Sequence, residues 1–250
     1  MTTTIAPARL ALRPHQVQSR DRVLAQLRTH DRALLVSACG TGKTVTLHAI
    51  AEGVGARCIV AFFPSLALID QTIRAWAPQF IERPRVVAVC SDDTVGRTDD
   101  ELVISDDDLR TAGAEVIRDE VELARILTEH DPADGPLVVY STYQSSDRVA
   151  AAQRRSGVRF DIAIADEAHK LALADIRDKS KRTGRLVLDA DAILSDKRVF
   201  ATATPKTFMY SESADNHRTA EASMDNTDLY GPVADNLGLR DAIDRGLLTN

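Results

Sequence analysis

Six short runs of β-branched and other apolar residues recur along the chain at intervals suited to buried strands. They lie at 33–37, 57–63, 85–90, 137–141, 160–165 and 198–203. The amphipathic or mixed stretches between them are long enough for helices, and they lie at 15–29, 43–54, 66–80, 115–130, 146–156 and 185–194. Strands that are apolar at nearly every position and alternate with helices are typical of a parallel sheet covered on both faces. The pattern therefore predicts an α/β fold with a mainly parallel sheet.

Acidic residues are concentrated in one stretch of the chain. The formal net charge of the 250 residues is −6, yet residues 92–134 hold 15 of the 37 acidic side chains and only 4 of the 31 basic ones. The remaining chain is therefore net positive, which is compatible with a polyanionic partner. We interpret the acidic stretch as a solvated insertion, and an autoinhibitory or partner-docking loop is the alternative.

The sequence contains no segment that we expect to enter a membrane. Its longest apolar stretch, 58–69, is shorter than the ~20 residues that span a bilayer, and Pro64 interrupts it. The N-terminus lacks the pattern of a secretory signal, so we expect a cytoplasmic protein. Cys39, Cys58 and Cys90 form no CxxC pair, which argues against a disulfide framework and a zinc site. Each is expected to be a small buried hydrophobic residue.

A glycine-rich loop, SACGTGKT, follows the first predicted strand and precedes a helical run. Gly40 and Gly42 allow the backbone to turn so that its N–H groups point inward, and the helix N-terminus adds its positive dipole end. Lys43 supplies a charge for the β and γ phosphates, and the hydroxyl of Thr44 is a ligand for Mg²⁺. Ser37 stands where the usual pattern has its first glycine. The loop predicts a nucleotide site, with an ordinary tight turn as the alternative.

Two adjacent carboxylates follow a later predicted strand, 160–165. Asp166 and Glu167 begin the tetrapeptide DEAH, which ends at His169. A strand end places them at the edge of the sheet where the phosphate loop also opens. Asp166 can hold Mg²⁺ through water, and Glu167 can deprotonate an attacking water. A helix cap with a first-turn acid is the alternative, and the upstream phosphate loop argues against it.

The blocks LRPHQ, SACGTGKT, PSLALIDQ, STYQS, DEAH and ATATP occur in this order within residues 12–248. Together they resemble the first RecA-like domain of superfamily 2 helicases and translocases, of the DEAH-containing type found in bacterial restriction and phage-defence systems. The resemblance implies a RecA-like P-loop NTPase domain that uses ATP and Mg²⁺. It further implies an adenine-recognition helix region at 1–32, an ATP-binding domain at 33–228 that contains the acidic insertion, and an exit segment at 229–250.

The resemblance also implies roles for residues outside the phosphate loop. Gln16 looks like the glutamine that reads the adenine edge, with Arg13 nearby, although a surface residue of the first helix is the alternative. Thr202 and Thr204 of ATATP resemble the block that couples nucleotide state to nucleic-acid binding through the DEAH carboxylates or His169, and strand-terminal capping is the alternative. The residues expected to hold the nucleotide are Arg13, Gln16, Gly40, Thr41, Gly42, Lys43 and Thr44. Those expected to act on it are Lys43, Asp166 and Glu167.

Two blocks resemble segments that contact the nucleic-acid backbone. Ser65 and Gln71 belong to the first, after the second predicted strand, and Thr142 and Gln144 belong to the second. For both blocks, an ordinary strand-to-helix turn is the alternative. The resemblance favours DNA as the partner, and RNA stays open.

In the family, a second RecA-like domain carries the transition-state arginines and half of the nucleic-acid track. We therefore expect this chain to need such a domain in cis or in trans, and to hydrolyse ATP poorly by itself. One alternative is a non-hydrolysing nucleotide- or DNA-binding module, or a truncated remnant of such a helicase. Another is a small-molecule kinase, which would need a substrate lid and a base that the sequence does not reveal.

Overall fold

The computed structural model describes residues 9–90, 104–172, 183–207 and 223–249. Within these ranges, eight strands form one sheet in the order β4-β3-β5-β2-β6-β7-β1-β8, and every neighbouring pair is parallel. The strands are β1 (Arg32–Ser37), β2 (Cys58–Phe63), β3 (Arg85–Val89), β4 (Glu115–Ile117), β5 (Leu137–Thr142), β6 (Phe160–Ala165), β7 (Ser195–Thr202) and β8 (Val233–Leu237). The predicted α/β fold with a parallel sheet is confirmed.

Helices follow most of the strands. They are α1 (Pro14–Leu27), α2 (Lys43–Gly53), α3 (Leu66–Trp76), α4 (Asp106–Thr111), α5 (Glu120–Glu129), α6 (Ser146–Ser156), α7 (His169–Ala172), α8 (Thr227–Tyr230) and α9 (Leu239–Asp244). Short 3-10 helices lie at Ala77–Gln79, Pro132–Asp134, Tyr143–Ser145 and Arg185–Leu188. None of the helices in the described ranges combines the length and the apolar character that crossing a membrane requires.

The sheet has a hydrophobic core on each face, because successive residues of a strand point to opposite sides. Leu34 of β1 packs in a cluster with residues of α5, α6 and α7, whereas Leu35 packs on the other face with residues of α1, α2, α3 and α4. The central strands are buried at nearly every position. This two-sided burial explains why their sequences are almost continuously apolar.

The acidic stretch differs from its predicted form. The helix predicted at 115–130 is instead the three-residue strand β4 followed by α5, which Asp119 caps by accepting a hydrogen bond from Val121 N at 2.9 Å. β4 pairs with β3, and Leu123 and Ile126 of α5 are buried. Residues 104–134 are therefore packed on the sheet in part and are not wholly solvated, and their interpretation as an insertion stays a prediction. Residues 92–103 lie outside the described part of the chain.

Two other segments also differ from prediction. The predicted helix at 185–194 is only the 3-10 turn Arg185–Leu188, after which the chain runs irregularly to β7. Part of the predicted exit segment is the edge strand β8, which pairs with β1 through a bulge between Leu34 and Leu35. Asp235 of β8 is buried and accepts hydrogen bonds from side chains of α1. The division of the chain into an adenine-recognition region, an ATP-binding domain and an exit segment, with boundaries at 32/33 and 228/229, stays a prediction.

Candidate functional site

The candidate site lies at the carboxyl edge of the sheet. All strands are parallel, so their carboxyl ends share this edge. The phosphate loop follows β1, the DEAH tetrapeptide follows β6, and the ATATP block begins within β7, which lies between β6 and β1. The topology thus brings three blocks that are far apart in sequence to neighbouring strand ends.

The phosphate loop turns at two glycines with left-handed backbone angles. Gly40 has φ of 81° and Gly42 has φ of 86°, a region that favours glycine. Thr41 Oγ1 donates to Ala38 O at 2.7 Å, which leaves Ser37 Oγ to donate to Thr41 Oγ1, also at 2.7 Å. Ser37 therefore fills the position of the usual first glycine with a buried hydroxyl that holds the loop.

The N-terminus of α1 packs against this loop. Gln16 Nε2 donates to Gly42 O at 3.0 Å, and Gln16 Oε1 accepts from Arg13 N at 2.8 Å. His15 Nε2 lies 2.8 Å from Thr41 O, although His15 is not among the predicted residues despite its place in LRPHQ. Gln16 is only 6% exposed, so it is not a surface residue. Its contact with adenine stays a prediction.

A cavity of about 400 Å³ lies on the same side of the fold, between α1, α2 and the segment that precedes α1. Its lining is mixed, with apolar residues such as Leu12 and Val45 beside the charged residues Arg9, Arg20 and Glu52. Gln16, Arg13 and the residues of the phosphate loop are not among the residues that line this cavity, so the place of the base stays a prediction.

Lys43 and the two carboxylates of the DEAH tetrapeptide are in direct contact. Lys43 Nζ lies 2.6 Å from Glu167 Oε1 and 2.9 Å from Asp166 Oδ1. Lys43 and Asp166 are both buried. Burial opposes the charge of Lys43, but the two carboxylates outweigh it and raise the pKa of Lys43 above its ordinary value. Burial raises the pKa of Asp166, and Lys43 opposes that rise.

The backbone at the acid pair is unusual. Among the described residues other than glycine, only Glu167 has a positive φ, of 52°. Its N–H donates to Asp166 Oδ1 at 2.8 Å, and the hydroxyl of Tyr143 donates to Asp166 O at 2.5 Å. Tyr143 lies within the STYQS block but is not among the predicted site residues. No local sequence pattern reveals a hydrogen bond between two residues that are 23 positions apart.

His169 connects the acid pair to β7. His169 Nδ1 lies 3.0 Å from Thr202 Oγ1 and 3.2 Å from Glu167 Oε2. Thr202 Oγ1 also accepts from Thr204 N at 3.1 Å, so Thr204 contributes its main chain to the network. Burial lowers the pKa of His169 below its ordinary value. The predicted proximity of these three residues is present, and their role in coupling stays a prediction.

The predicted nucleic-acid contacts lie in the segments that follow β2 and β5, and they differ in exposure. Ser65 Oγ caps α3 by accepting from Leu68 N at 3.4 Å, and Gln71 is exposed on that helix. Thr142 is 1% exposed and donates to Ser145 Oγ at 3.0 Å. Because Thr142 offers no surface to a partner, its predicted direct contact does not fit this structure. Gln144, which is half-buried, is the better candidate in that segment.

The donor set at this edge fits a magnesium nucleotide. Asp166 supplies carboxylate oxygen, Thr44 supplies a hydroxyl in the first turn of α2, and Lys43 supplies a positive charge beside them. No group of three or more His, Cys, Asp or Glu side chains within the described ranges forms a metal cage, and Mg²⁺ bound with a nucleotide does not need one. Cys39 is exposed in the phosphate loop, so its predicted burial is wrong, whereas Cys58 and Cys90 are buried.

Comparisons with known proteins agree with this geometry. The sequence profile of the family described as "Type III restriction enzyme, res subunit" matches residues 9–207. The "Probable helicase A859L" of African swine fever virus (strain Badajoz 1971 Vero-adapted) is 26% identical over 238 residues, which are 95% of this chain and 23% of the viral protein.

Two solved structures of DNA restriction enzymes share the fold of this chain. The ATP-dependent Type ISP restriction-modification enzyme LlaBIII, bound to DNA, is 27% identical with a TM-score of 0.77, covering 97% of this chain and 16% of that one. A nuclease-deletion mutant of the Type ISP enzyme LlaGI, in complex with a DNA substrate mimic, is 27% identical with a TM-score of 0.72, covering 95% of this chain and 21% of that one. This chain thus spans less than a quarter of each of these relatives. The chain belongs to the family of the res subunit of Type III restriction enzymes, and it is a first RecA-like domain of a superfamily 2 helicase of the restriction type.

Proposed function

We propose that this chain is the ATP-binding and ATP-hydrolysing motor domain of a DNA-dependent ATPase, and that it acts together with a second RecA-like domain in cis or in trans. The observation that carries the proposal is the contact of Lys43 Nζ with both Asp166 and Glu167 at the carboxyl edge of the sheet. A buried cation whose ion pairs among the described residues are with two side-chain carboxylates can exchange them for phosphate oxygens. An ordinary structural ion pair does not need a glycine-rich loop beside it.

Each residue has a defined task in this proposal. The backbone N–H groups of the loop from Gly40 to Thr44 and the ammonium of Lys43 would bind the phosphates of ATP. Thr44 and Asp166 would hold Mg²⁺, which when bound supplies positive charge against the phosphate oxygens. Glu167 orients the attacking water and accepts its proton. Gln16 and Arg13 would bind the adenine.

DNA is the proposed partner. LlaBIII is bound to DNA and the LlaGI mutant is in complex with a DNA substrate mimic in their structures, and both resemble this chain over nearly its whole length. Ser65 and Gln144 come directly after β2 and β5 at the carboxyl edge, and Gln71 is exposed further along α3; all three would contact the sugar-phosphate backbone. We place the protein in the cytoplasm, where a DNA motor of this type has its substrate.

A second candidate is a module that binds nucleotide without hydrolysing it. The observation that favours it is that the glycine-rich loop with Gly40 and Gly42 supports nucleotide binding, which does not by itself require hydrolysis. Transition-state arginines supplied by another domain contribute roughly 10³ to 10⁵ to phosphoryl-transfer rates. An assay of this chain without such a domain must therefore be sensitive enough to detect ATP hydrolysis that is slower by this factor.

Single-turnover hydrolysis, with protein in excess over ATP, tests the proposal. We expect hydrolysis that duplex DNA accelerates, and we expect Glu167→Gln to slow it about 10²- to 10⁴-fold while the affinity for a fluorescent ATP analogue stays within about twofold. Glu129→Gln, on the exposed side of α5, is the matched control. Equal rates in both variants would remove Glu167 as the base. Binding without any hydrolysis, with DNA and with single-stranded RNA, would favour the module.

A further inference from the structure

The peptide group that joins Asp166 to Glu167 is held at both ends. Its N–H donates to Asp166 Oδ1 at 2.8 Å, and its carbonyl accepts from the hydroxyl of Tyr143 at 2.5 Å. The same Asp166 Oδ1 lies 2.9 Å from Lys43 Nζ. The orientation of this one peptide therefore determines where both carboxylates point.

Glu167 adopts a backbone conformation that residues with a side chain rarely take. Its φ of 52° lies in the left-handed region, and such a residue persists only where its surroundings hold it there. In this conformation the Glu167 carboxylate reaches Lys43 Nζ at 2.6 Å with one oxygen and His169 Nδ1 at 3.2 Å with the other. Rotation of the peptide to relax φ would move the carboxylate away from these partners.

Tyr143 is itself fixed in position. It is 6% exposed, and Ser146 Oγ lies 2.9 Å from the Tyr143 carbonyl and 2.7 Å from Thr183 O, which joins the turn after β5 to the segment at 183. Gly184 also packs close, because a side chain there would come within 3.3 Å of Tyr143 Cβ. Burial raises the pKa of the Tyr143 hydroxyl well above its ordinary value, so it remains a donor across the physiological pH range.

We infer that Tyr143 is a positioning residue, which holds the Asp166–Glu167 peptide in its strained orientation and thereby aims both carboxylates at the nucleotide site. The inference rests on the proposed function of that site. Tyr143 touches neither substrate nor metal in this role, and acts through the main chain of Asp166. Because Gln144 follows it directly, the same hydrogen bond links a proposed DNA contact to the acid pair.

The test compares Tyr143→Phe with Tyr140→Phe. Tyr140 is a buried tyrosine of β5, the strand that directly precedes Tyr143, and its hydroxyl makes no hydrogen bond among the described residues, so it controls for loss of a phenolic oxygen. The first measurement is hydrogen exchange of the Glu167 amide in the chain without nucleotide. Loss of one neutral hydrogen bond should accelerate this exchange about fivefold in Tyr143→Phe and leave it unchanged in Tyr140→Phe.

Affinity for a fluorescent ATP analogue, measured with Mg²⁺ and with EDTA, is the second readout. We expect Tyr143→Phe to keep the metal-free dissociation constant within about twofold while the tightening caused by Mg²⁺ falls about fivefold, since Asp166 is displaced. Single-turnover hydrolysis should fall about ten- to a hundredfold, and its acceleration by DNA should shrink.

Each outcome decides the inference. Unchanged exchange at Glu167 together with an unchanged Mg²⁺ effect would overturn it, and an equal loss of metal-free and Mg²⁺-bound affinity would overturn it in favour of a general structural role. If the unmodified chain bound no nucleotide, the proposed function would fail, yet the exchange measurement would still show whether Tyr143 holds the peptide.

Discussion

The sheet carries buried cations at the carboxyl ends of its strands (the carboxyl edge) and at their amino ends (the amino edge). The groups that contact these cations differ between the two. At the carboxyl edge, Lys43 contacts two side-chain carboxylates, at 2.6 and 2.9 Å. At the amino edge, Arg32 of β1 and Arg198 of β7 are neighbours in the parallel register, and both are buried. Like charges on adjacent strands are unfavourable unless other groups compensate them.

Main-chain carbonyls accept hydrogen bonds from both arginines, and Arg32 Nε also lies 3.7 Å from the exposed carboxylate of Asp31. Arg198 donates to the carbonyls of Val187, at 3.0 Å, and Ile193. Arg32 donates to the carbonyls of Leu188, at 2.9 Å, and Leu229, at 2.6 Å. Burial and, after it, the charge of Arg32 lower the pKa of Arg198 to about 10, which still leaves it charged at neutral pH.

The difference separates a structural charge from a functional one. Carbonyls of the main chain cannot leave without unfolding the segment that carries them, so the arginines fasten the 3-10 turn at 185–188 and the loop after it to the sheet. Carboxylates on side chains can move, and a phosphate can replace them beside Lys43. Variants should therefore lose stability at the amino edge and nucleotide binding at the carboxyl edge.

Arg198→Met should produce the largest effect. Methionine fills a similar volume but leaves the carbonyls of Val187 and Ile193 without donors, so the free energy of unfolding should fall by roughly 2 to 5 kcal/mol. Urea denaturation measures the loss. Affinity for the fluorescent ATP analogue should stay within about twofold at temperatures where the variant is folded.

The control is Arg154→Met, on the exposed face of α6, which should change stability by less than about 0.5 kcal/mol. Equal stability of the two variants would contradict the structural role of Arg198. Loss of nucleotide affinity in the folded Arg198→Met variant would contradict the separation of a stabilising amino edge from a nucleotide-binding carboxyl edge.

The carboxyl edge could be predicted from sequence much further than the amino edge. A phosphate loop needs specific residues in consecutive positions, and the apolar strands before Gly40 and Asp166 show where the chain reaches the edge. The contacts of Arg198 and Tyr143 join residues that no local pattern relates. Thr142 was predicted as a surface contact, since a sequence does not state which residue of a turn is buried.

Two strands were missed for a physical reason. β4 has three residues, and β8 has the polar residues Asp235 and Asn236 at its centre, so neither forms an apolar run. Both lie at the ends of the sheet, where burial is partial and the apolar signal is weak. The central strands, buried on both faces, were predicted nearly to their ends.

Lys43→Ala should produce the next largest effect. Without its ammonium, affinity for the ATP analogue should fall about ten- to a hundredfold, as a charge-assisted contact with the phosphates is lost. The variant should also show a pH-dependent stability deficit. Burial raises the folded-state pKa of Asp166 above its unfolded value, and removal of Lys43 raises it further. A carboxyl group with a raised folded-state pKa favours folding most when it is protonated.

The deficit of Lys43→Ala should therefore be largest near neutral pH and should shrink as the pH falls toward 5. Urea denaturation at pH 5 and pH 7.5 measures it. Lys197→Ala, at the amino edge, is the control and should show neither the loss of affinity nor the pH dependence. A deficit that grew as the pH fell would contradict the assignment of Asp166 as the uncompensated group.

Thr202→Val should produce the smallest effect. It tests whether a hydrogen bond at the carboxyl edge contributes to hydrolysis or only to stability. Valine keeps the shape of threonine but removes the oxygen that lies 3.0 Å from His169 Nδ1 and accepts from Thr204 N. Stability should fall by about 1 kcal/mol, whereas single-turnover hydrolysis should fall about three- to fivefold because Glu167 loses the support of His169. Thr128→Val, which removes the hydroxyl of an exposed residue that donates to Ala124 O in α5, is the control and should change stability by less than about 0.5 kcal/mol without slowing hydrolysis. Hydrolysis unchanged by Thr202→Val would mean that the link from β7 to the acid pair serves the fold, as the arginines of the opposite edge do.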